Sequence, residues 1–432
     1  MRSFRDIFAR VTARGAAALA VAVLMLAVTG AAQASGAKAY VGLFKDNAVA
    51  VIDTSSNTLL KTIPIPAGPH GLVVTPDGAT VYASSDGDSR VSVIDTSRDA
   101  VTASIEVGKS PHGLAITPDG KQVLVAVFGA SAVAFIDTAT NTVRGQVAVG
   151  SPHNIAITPD GSTAYVAVQV KGAFALAILD VAGMRQKGNV PLDKMPRALN
   201  VSPDGTRLYF TLAGSDAVQV LDTRSARVVR EVPVGASPHH PLFSADGKTA
   251  LVVSQGPGSL YFIDPSRDTV SGTAKVGSLP HWIALGGGGR TAYVTNEGSN
   301  DVSVVDTATM KTVATIAVGN APRKIIIQPS TGMTRAGGAQ AGQGAGAAGP
   351  VQTGISGFAF ADSIVVGVGQ TVTWTNNDPI PHTVTGDDGS WGSGDIAAGA
   401  SYRMTFLSAG TFPYHCGIHP AMQGTVTVQA RL

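Results

Sequence analysis

Between residues 38 and 329 one pattern returns seven times, and no other property of this chain limits its fold as much. A proline recurs at Pro69, Pro111, Pro152, Pro196, Pro238, Pro280 and Pro322, with spacings of 41 to 44 residues. The phrase apolar-Ile-Asp-Thr recurs as Val51-Ile52-Asp53-Thr54, Val93-Ile94-Asp95-Thr96 and Phe135-Ile136-Asp137-Thr138, with Val304-Val305-Asp306-Thr307 as a near copy. A Pro-Asp-Gly turn recurs at Pro76, Pro118, Pro159 and Pro203. A fixed period of this length marks a repeat architecture. Each period holds four short alternating runs separated by turn residues, which is the content of one four-stranded propeller blade. The array begins with outer strands near Tyr40, Val49–Ile52 and Leu59–Ile63 and ends with a spare inner strand at Lys324–Ile327. That last strand is expected to complete the first blade and so remove the exposed sheet edges. The period after Pro280 departs from the pattern, with Gly286–Gly289 where Pro-Asp-Gly is expected.

Tyr293-Val294-Thr295-Asn296, taken with the Ile-Asp-Thr and Pro-Asp-Gly phrases, resembles the YVTN family of seven-bladed propellers. The resemblance implies the fold and carries no activity. The recurring aspartates are expected to accept local backbone N–H bonds in their turns and to be structural. The residue after each recurring proline is more informative. It reads His70, His112, His153, Arg197, His239, His281 and Arg323, and every propeller histidine except His240 stands at this position. Innermost strands line the central tunnel, so these seven residues are expected to ring one mouth. Two readings stay open. In one, the imidazoles bond neighbouring carbonyls and merely start the inner strands. In the other, neutral imidazoles hold a second copper, or imidazoles with Arg197 and Arg323 hold a small oxyanion.

The length of 432 residues exceeds one ordinary core, and a composition of 14% charged residues with 51 glycines suits many short strands. Residues 1–34 carry four arginines against Asp6, then an apolar run from Ala16 to Val28, then Ala32-Gln33-Ala34. This is the form of a secretory signal peptide, with an apolar run short for a bilayer span. Removing it takes away four Arg and one Asp and leaves 27 basic against 28 acidic residues. A periplasmic or secreted protein is expected, with no integral membrane span after cleavage. Nucleic acid is not an expected partner, because nothing supplies phosphate-neutralising charge.

The only cysteine, Cys416, lies in Tyr414-His415-Cys416-Gly417-Ile418-His419-Pro420-Ala421-Met422. An unpaired thiol in an exported protein is exposed to oxidation unless something protects it, and a metal bond does so. One thiolate, two imidazoles and a distant thioether suit copper cycling between two oxidation states. Pro381-His382-Thr383 supplies the second imidazole, 34 residues upstream of the cysteine. Strand-like alternation over 351–432 reads as a small Greek-key sandwich. Tyr414-His415-Cys416, His419-Pro420, Met422 and Gly424 resemble amicyanin and related plastocyanin-type cupredoxins. The resemblance implies a type 1 copper held by His382, Cys416 and His419 with Met422 axial, and His419 as the electron gate. Many such proteins place Asn after the first histidine to hydrogen-bond the thiolate, and here Thr383 stands there. His415 alternates away from the site, and Trp374 and Trp391 are expected to pack rather than relay electrons.

Residues 331–350 are mostly Gly, Ala and Gln and read as a flexible linker with a root-mean-square span of roughly 25 Å. The whole is expected to be all-β, a seven-bladed propeller at 38–329 followed by a cupredoxin sandwich at 351–432. The function expected is electron transfer with a redox protein partner, the propeller serving as a docking or binding platform. The alternative is a copper-dependent reductase or oxidase centred on the His/Arg ring and fed by the cupredoxin. Because the linker leaves the propeller away from the ring mouth, that alternative calls for a head-to-tail homodimer. Nitrous oxide reductase has a similar domain order. Its two-cysteine copper centre cannot be built from one cysteine, so its reaction is not assigned.

Overall fold

The computed structural model describes residues 37–329 and 351–429, apart from 357–358, 361–363, 368–369, 389–390, 407–409 and 420–421. The expected signal peptide and linker lie outside the described residues. Among the described residues every regular element is a strand except two three-residue helical turns, and no helix is long and apolar enough to cross a membrane.

Seven four-stranded antiparallel sheets follow one another between Lys38 and Ile327. In each, the innermost strand starts at a recurring proline, as in Pro69–Val74, Pro111–Ile116 and Pro152–Ile157. The first blade is closed by the end of the array, since Pro322–Ile327 pairs antiparallel with Lys38–Leu43. This is the closure expected from the sequence. Outermost strands such as Thr58–Pro64 are mostly exposed, while the second and third strands of each blade are almost wholly buried against the neighbouring blades. The core is therefore a circle of interblade seams rather than one central mass.

The two recurring phrases turn out to be halves of one device. Asp77 Oδ1 accepts from the Ala79 N–H and the Thr75 hydroxyl, and Asp53 Oδ1 accepts from the N–H groups of Ser55 and Ser56. These bonds hold the Asp77-type and Asp53-type carboxyls in their turns, and Asp53 is drawn below the usual carboxylate range chiefly by the Ser55 hydroxyl. The Thr of Ile-Asp-Thr then donates to the carbonyl of the turn glycine: Thr96 to Gly78, Thr138 to Gly120 and Thr223 to Gly205. Those glycines have φ between 67° and 72°, where a side chain is disfavoured. The aberrant Gly286–Gly289 period keeps the bond, from Thr307 to Gly289 at 2.8 Å.

Tyrosines on the second strands of five blades tie each of these to the next, while Leu124 and Leu251 stand at the position in the other two. The Tyr82 hydroxyl donates to Asn141 Oδ1 at 2.6 Å, Tyr209 to Asp268 at 2.8 Å and Tyr293 to Asn57 at 2.9 Å. At Gly71 and Gly113 the neighbouring inner strand comes so close that a Cβ atom is excluded. A Cβ on Gly71 would stand 2.3 Å from the His112 carbonyl oxygen, whereas one on Gly188 would meet nothing within 4 Å. Gly71→Ala is expected to destabilise the propeller by about 1–3 kcal/mol through overpacking, with Gly188→Ala near neutral. Denaturant midpoints of the two variants check this, and equal midpoints would disprove it.

The C-terminal domain pairs a three-stranded sheet of Val351–Ile355, Thr371–Asn376 and Ser401–Thr405 with a four-stranded sheet of Ile364–Gly367, Gln423–Gln429, Gly410–His415 and Thr385–Gly386. The first strand ends at Ile355, after which Ser356 and Ala359 bridge each other. Trp374 is fully buried among Trp391, Tyr402, Phe406 and Tyr414, and its indole N–H donates to the Tyr414 hydroxyl at 3.1 Å. This is packing, in line with the sequence reading. The aromatic core supports the sheet that ends at Cys416.

Candidate metal centre

His382 and Cys416 come together from segments 34 residues apart in the domain. Gly410–His415 pairs on one side with Gln423–Gln429, which closes a tight loop around residues 416–422. Three main-chain bonds shape that loop: Cys416 N–H to Met422 O, Met422 N–H to His419 O, and His419 N–H to Cys416 O. On its other side the strand pairs with Thr385–Gly386, which delivers the adjoining Thr383 and His382.

The donor atoms form a small triangle. Cys416 Sγ lies 3.8 Å from His382 Nδ1 and 3.6 Å from His419 Nδ1, and the two Nδ1 atoms are 3.2 Å apart. A trigonal site with metal–nitrogen bonds of about 2.0 Å and a metal–sulfur bond of about 2.3 Å separates its donors by roughly 3.5 and 3.7 Å. The side chains therefore fit a transition ion without rearrangement. Cys416 and His382 are completely buried, His419 is half-buried, and Met422 is buried in the same apolar cluster as Cys416. Soft thiolate with imidazole selects copper over hard cations.

Two features absent from the sequence reading set the ligands. Asp378, itself buried, accepts from His382 Nε2 at 3.0 Å, which leaves the Nδ1 lone pair for the metal. Asn376 holds the loop that carries it, donating to the carbonyls of Ile380 and Ile396 while its Oδ1 takes the Asp378 N–H. The signal was present as an acid four residues before His382, but an acid in a loop has no specificity by itself. The second feature is the thiolate's own bond. The Thr383 main-chain N–H points at Sγ at 3.3 Å, so the bond does not need an asparagine side chain. Burial by itself raises the Cys416 thiol, yet the Thr383 N–H, His382 and the His419 and Ile418 N–H groups outweigh it and bring the thiol down to about 6.

The Thr383 hydroxyl accepts from the Gly417 N–H at 2.6 Å and reaches Sγ only at 4.0 Å, farther than the main-chain N–H at 3.3 Å. Thr383→Val should therefore keep the bond to sulfur and lose about 1 kcal/mol of loop stability. Absorption spectra and unfolding curves of the copper-loaded variant test this; a lost charge-transfer band would assign the sulfur bond to the side chain. His415 turns away to Asp387, 2.6 Å from Nδ1 to Oδ1, and is not part of the donor group. Pro420 and Ala421, expected beside His419 at the electron gate, lie outside the described residues, while Ile418 beside it is 45% exposed.

The second set of candidate residues also gathers. At the start of every inner strand a bulge sets two residues against one, as where Pro69 pairs with Ser85 and Leu72 with Ala83. The bulge re-aims the residue after the proline. His70 and His112 lie 3.5 Å apart by ring centroids, His112 and His153 4.0 Å, His239 and His281 4.0 Å, and His70 is 6.0 Å from His281. Nδ1 of His112 donates to the His153 carbonyl, and Nδ1 of His153 to the Arg197 carbonyl. His70 and His281 bury an Nδ1 with no hydrogen-bond partner among the described residues. Desolvation, then mutual repulsion, holds His70, His112 and His281 well below the ordinary imidazole value; desolvation takes His153 to about 4 and His239 to about 3.

The arginines are engaged elsewhere. Arg197 donates to Ser237 and Gln255, and Arg323 pairs with Glu297 at 3.0 Å and lies 3.5 Å over the Phe44 ring. Among the described residues only His382, Cys416 and His419 bring three metal-competent donor atoms within 4.8 Å of one another.

Comparison with known proteins agrees with both halves. A family profile described as a cupredoxin-like domain matches residues 359–428, and one described as a YNCE-like beta-propeller matches residues 22–117. Amicyanin of Paracoccus denitrificans is 41% identical over 69 residues, 15% of this chain and 53% of that protein. Plastocyanin of Scenedesmus fuscus is 38% identical over 80 residues, 16% of this chain and 82% of that protein. The chain thus spans about half the length of the first relative and most of the second. Among solved structures, hydrazine synthase of Kuenenia stuttgartiensis superposes with a TM-score of 0.59 at 22% identity, over 63% of this chain and 93% of that one, a likeness of fold alone. Through its C-terminal domain, carried alongside a seven-bladed propeller, the chain belongs to the amicyanin–plastocyanin family of cupredoxins.

Proposed function

We propose that the protein is an exported, periplasmic electron carrier that exchanges electrons with separate redox proteins at a mononuclear type 1 copper site. The observation that carries the reading is the donor triangle of His382, Cys416 and His419, with separations of 3.2, 3.6 and 3.8 Å. Copper held there takes up and gives back one electron at a time. The chain's own contribution is rigidity: Asp378 fixes the His382 ring, the Thr383 N–H steadies the sulfur, and the loop bonds of residues 416–422 keep the donors in place. A cavity that holds one geometry in both oxidation states suits repeated electron exchange rather than metal release. Met422, buried in the same cluster as Cys416, would offer the metal a weak thioether donor. His419, half-buried beside exposed Ile418, is the route by which a partner reaches the site.

The propeller serves as the platform on which a partner or ligand docks. The alternative, an oxidoreductase with a second copper at the propeller ring served by the cupredoxin of a head-to-tail partner, has the buried, unpartnered Nδ1 atoms of His70 and His281 in its favour. Against it, no three ring donors fall within 4.8 Å of one another. Copper loading of the mature chain decides between them. A carrier gives one copper per chain, an intense thiolate-to-copper band, and bleaching by one reducing equivalent that reoxidation fully reverses. A second copper that survives Cys416→Ser would favour the ring enzyme, and release of the metal on reduction would favour copper storage.

A further inference from the structure

His240 is the one propeller histidine outside the ring, and its position leads to a second site. The residue two places after each recurring proline is Gly71, Gly113, Asn154 and Ala198 in four consecutive inner strands. In the next three it is His240, Trp282 and Lys324. The near sevenfold repeat is thus broken on one side of the axis only, by three large, nitrogen-bearing side chains.

All three are buried, and Trp282 touches both of the others. The His240 and Trp282 rings stack at 3.6 Å with 16° between planes, and Lys324 Nζ stands 4.1 Å from the Trp282 ring centroid. They line the axial cavity of about 510 Å³ formed by the inner strands, together with Asn200 and apolar residues such as Leu242 and Ile326. No acidic side chain lines this cavity.

Its polar side chains offer donors, while their acceptor atoms are already engaged. His240 Nδ1 accepts the Ile283 N–H, which puts the imidazole proton on Nε2. Asn200 Oδ1 is likewise taken, by the Phe243 N–H. Among the described residues, no acceptor meets Lys324 Nζ, His240 Nε2–H or the Trp282 indole N–H. An ammonium buried without a counter-ion is costly, and desolvation alone pulls Lys324 down to about 7. An apolar chamber of this size with a few polar groups has the form of a small-molecule site.

We propose that the propeller tunnel binds a small monocarboxylate with an apolar body, its carboxylate paired with Lys324 and its hydrocarbon against the inner-strand walls. Charge complementarity selects the head group, since the chamber offers a cation and N–H donors and no acidic side chain. The apolar walls select an amphiphilic acid over a bare oxyanion. The proposal is independent of the copper site.

Calorimetric titration of the full mature chain with hexanoate tests it. Saturable binding of one hexanoate per chain is expected, with hexanamide roughly 30-fold or more weaker because one partner of a buried charge pair is removed, and sulfate roughly 30-fold or more weaker because it has no hydrocarbon to bury against the walls. Lys324→Met should weaken hexanoate to the same extent while the copper band is unchanged. Absent saturation, equal affinity for hexanoate and hexanamide, sulfate binding as tightly as hexanoate, or an unaltered Lys324→Met titration each overturns the proposal. The three-ligand comparison uses the unmodified chain, so it stands even where the variant fails to fold.

Discussion

Cys416→Ser is expected to abolish the visible thiolate-to-copper band completely and to weaken cupric binding by more than about 100-fold. Substitutions that only disturb a ligand's hydrogen-bond partner already cost metal sites 10- to 100-fold, and this one removes the strongest donor. Cys416 Sγ stands within 3.8 Å of both imidazole donors and takes the Thr383 N–H, so no neighbouring side chain replaces it. Serine's hydroxyl stays protonated where the thiol, at about 6, ionises readily. The apo fold should survive, because the aromatic core around Trp374 does not depend on the sulfur. Absorption and copper titration of wild type and variant measure the effect. Asp378→Asn should give the graded version, a 10- to 100-fold loss of affinity with the band retained. If the serine variant kept the band, sulfur ligation would be wrong and the electron-transfer proposal would fall with it.

The second large effect is acid destabilisation of the propeller. An imidazole whose folded value lies below its unfolded value of about 6.5 binds protons more readily when unfolded. Stability is then fully present above pH ~6.5 and is lost as pH falls toward the folded value. With His153 at about 4 and His239 at about 3, each contributes about 2 kcal/mol of loss between pH 6.5 and pH 4.5. His70, His112, His240 and His281 act in the same direction. Arg197 and Arg323 strengthen the effect by repelling a charged imidazole, while Glu297, 3.9 Å from His281, moderates it. The turn aspartates, such as Asp53 and Asp95, are lowered from 3.8 and so lose stability only at more acid pH, which leaves this window to the histidines. Thermal midpoints followed by circular dichroism from pH 7.5 to 4.5 should fall steeply below pH 6.5, and less steeply in His239→Gln. A flat profile would show that the imidazoles are hydrated in the folded chain.

Much of the architecture could be read before any coordinates. Seven prolines at near-constant spacing, a missing inner strand at the start and a spare one at the end determine a closed seven-bladed ring, because each blade can bury its faces only against the next. The Cys416 loop and His382 likewise determine a copper-type donor set, since residue type and spacing inside one tight loop are local properties. What tertiary structure decided lies between residues distant in sequence. Thr383 serves the thiolate through its main chain, Asp378 orients His382, and tyrosines join neighbouring blades. The same holds for Lys324, which reads as an ordinary cation in a strand and becomes a buried, unpaired one only when seven inner strands close around it. Burial and long-range contact set these charges and partners, and neither is a function of local spacing.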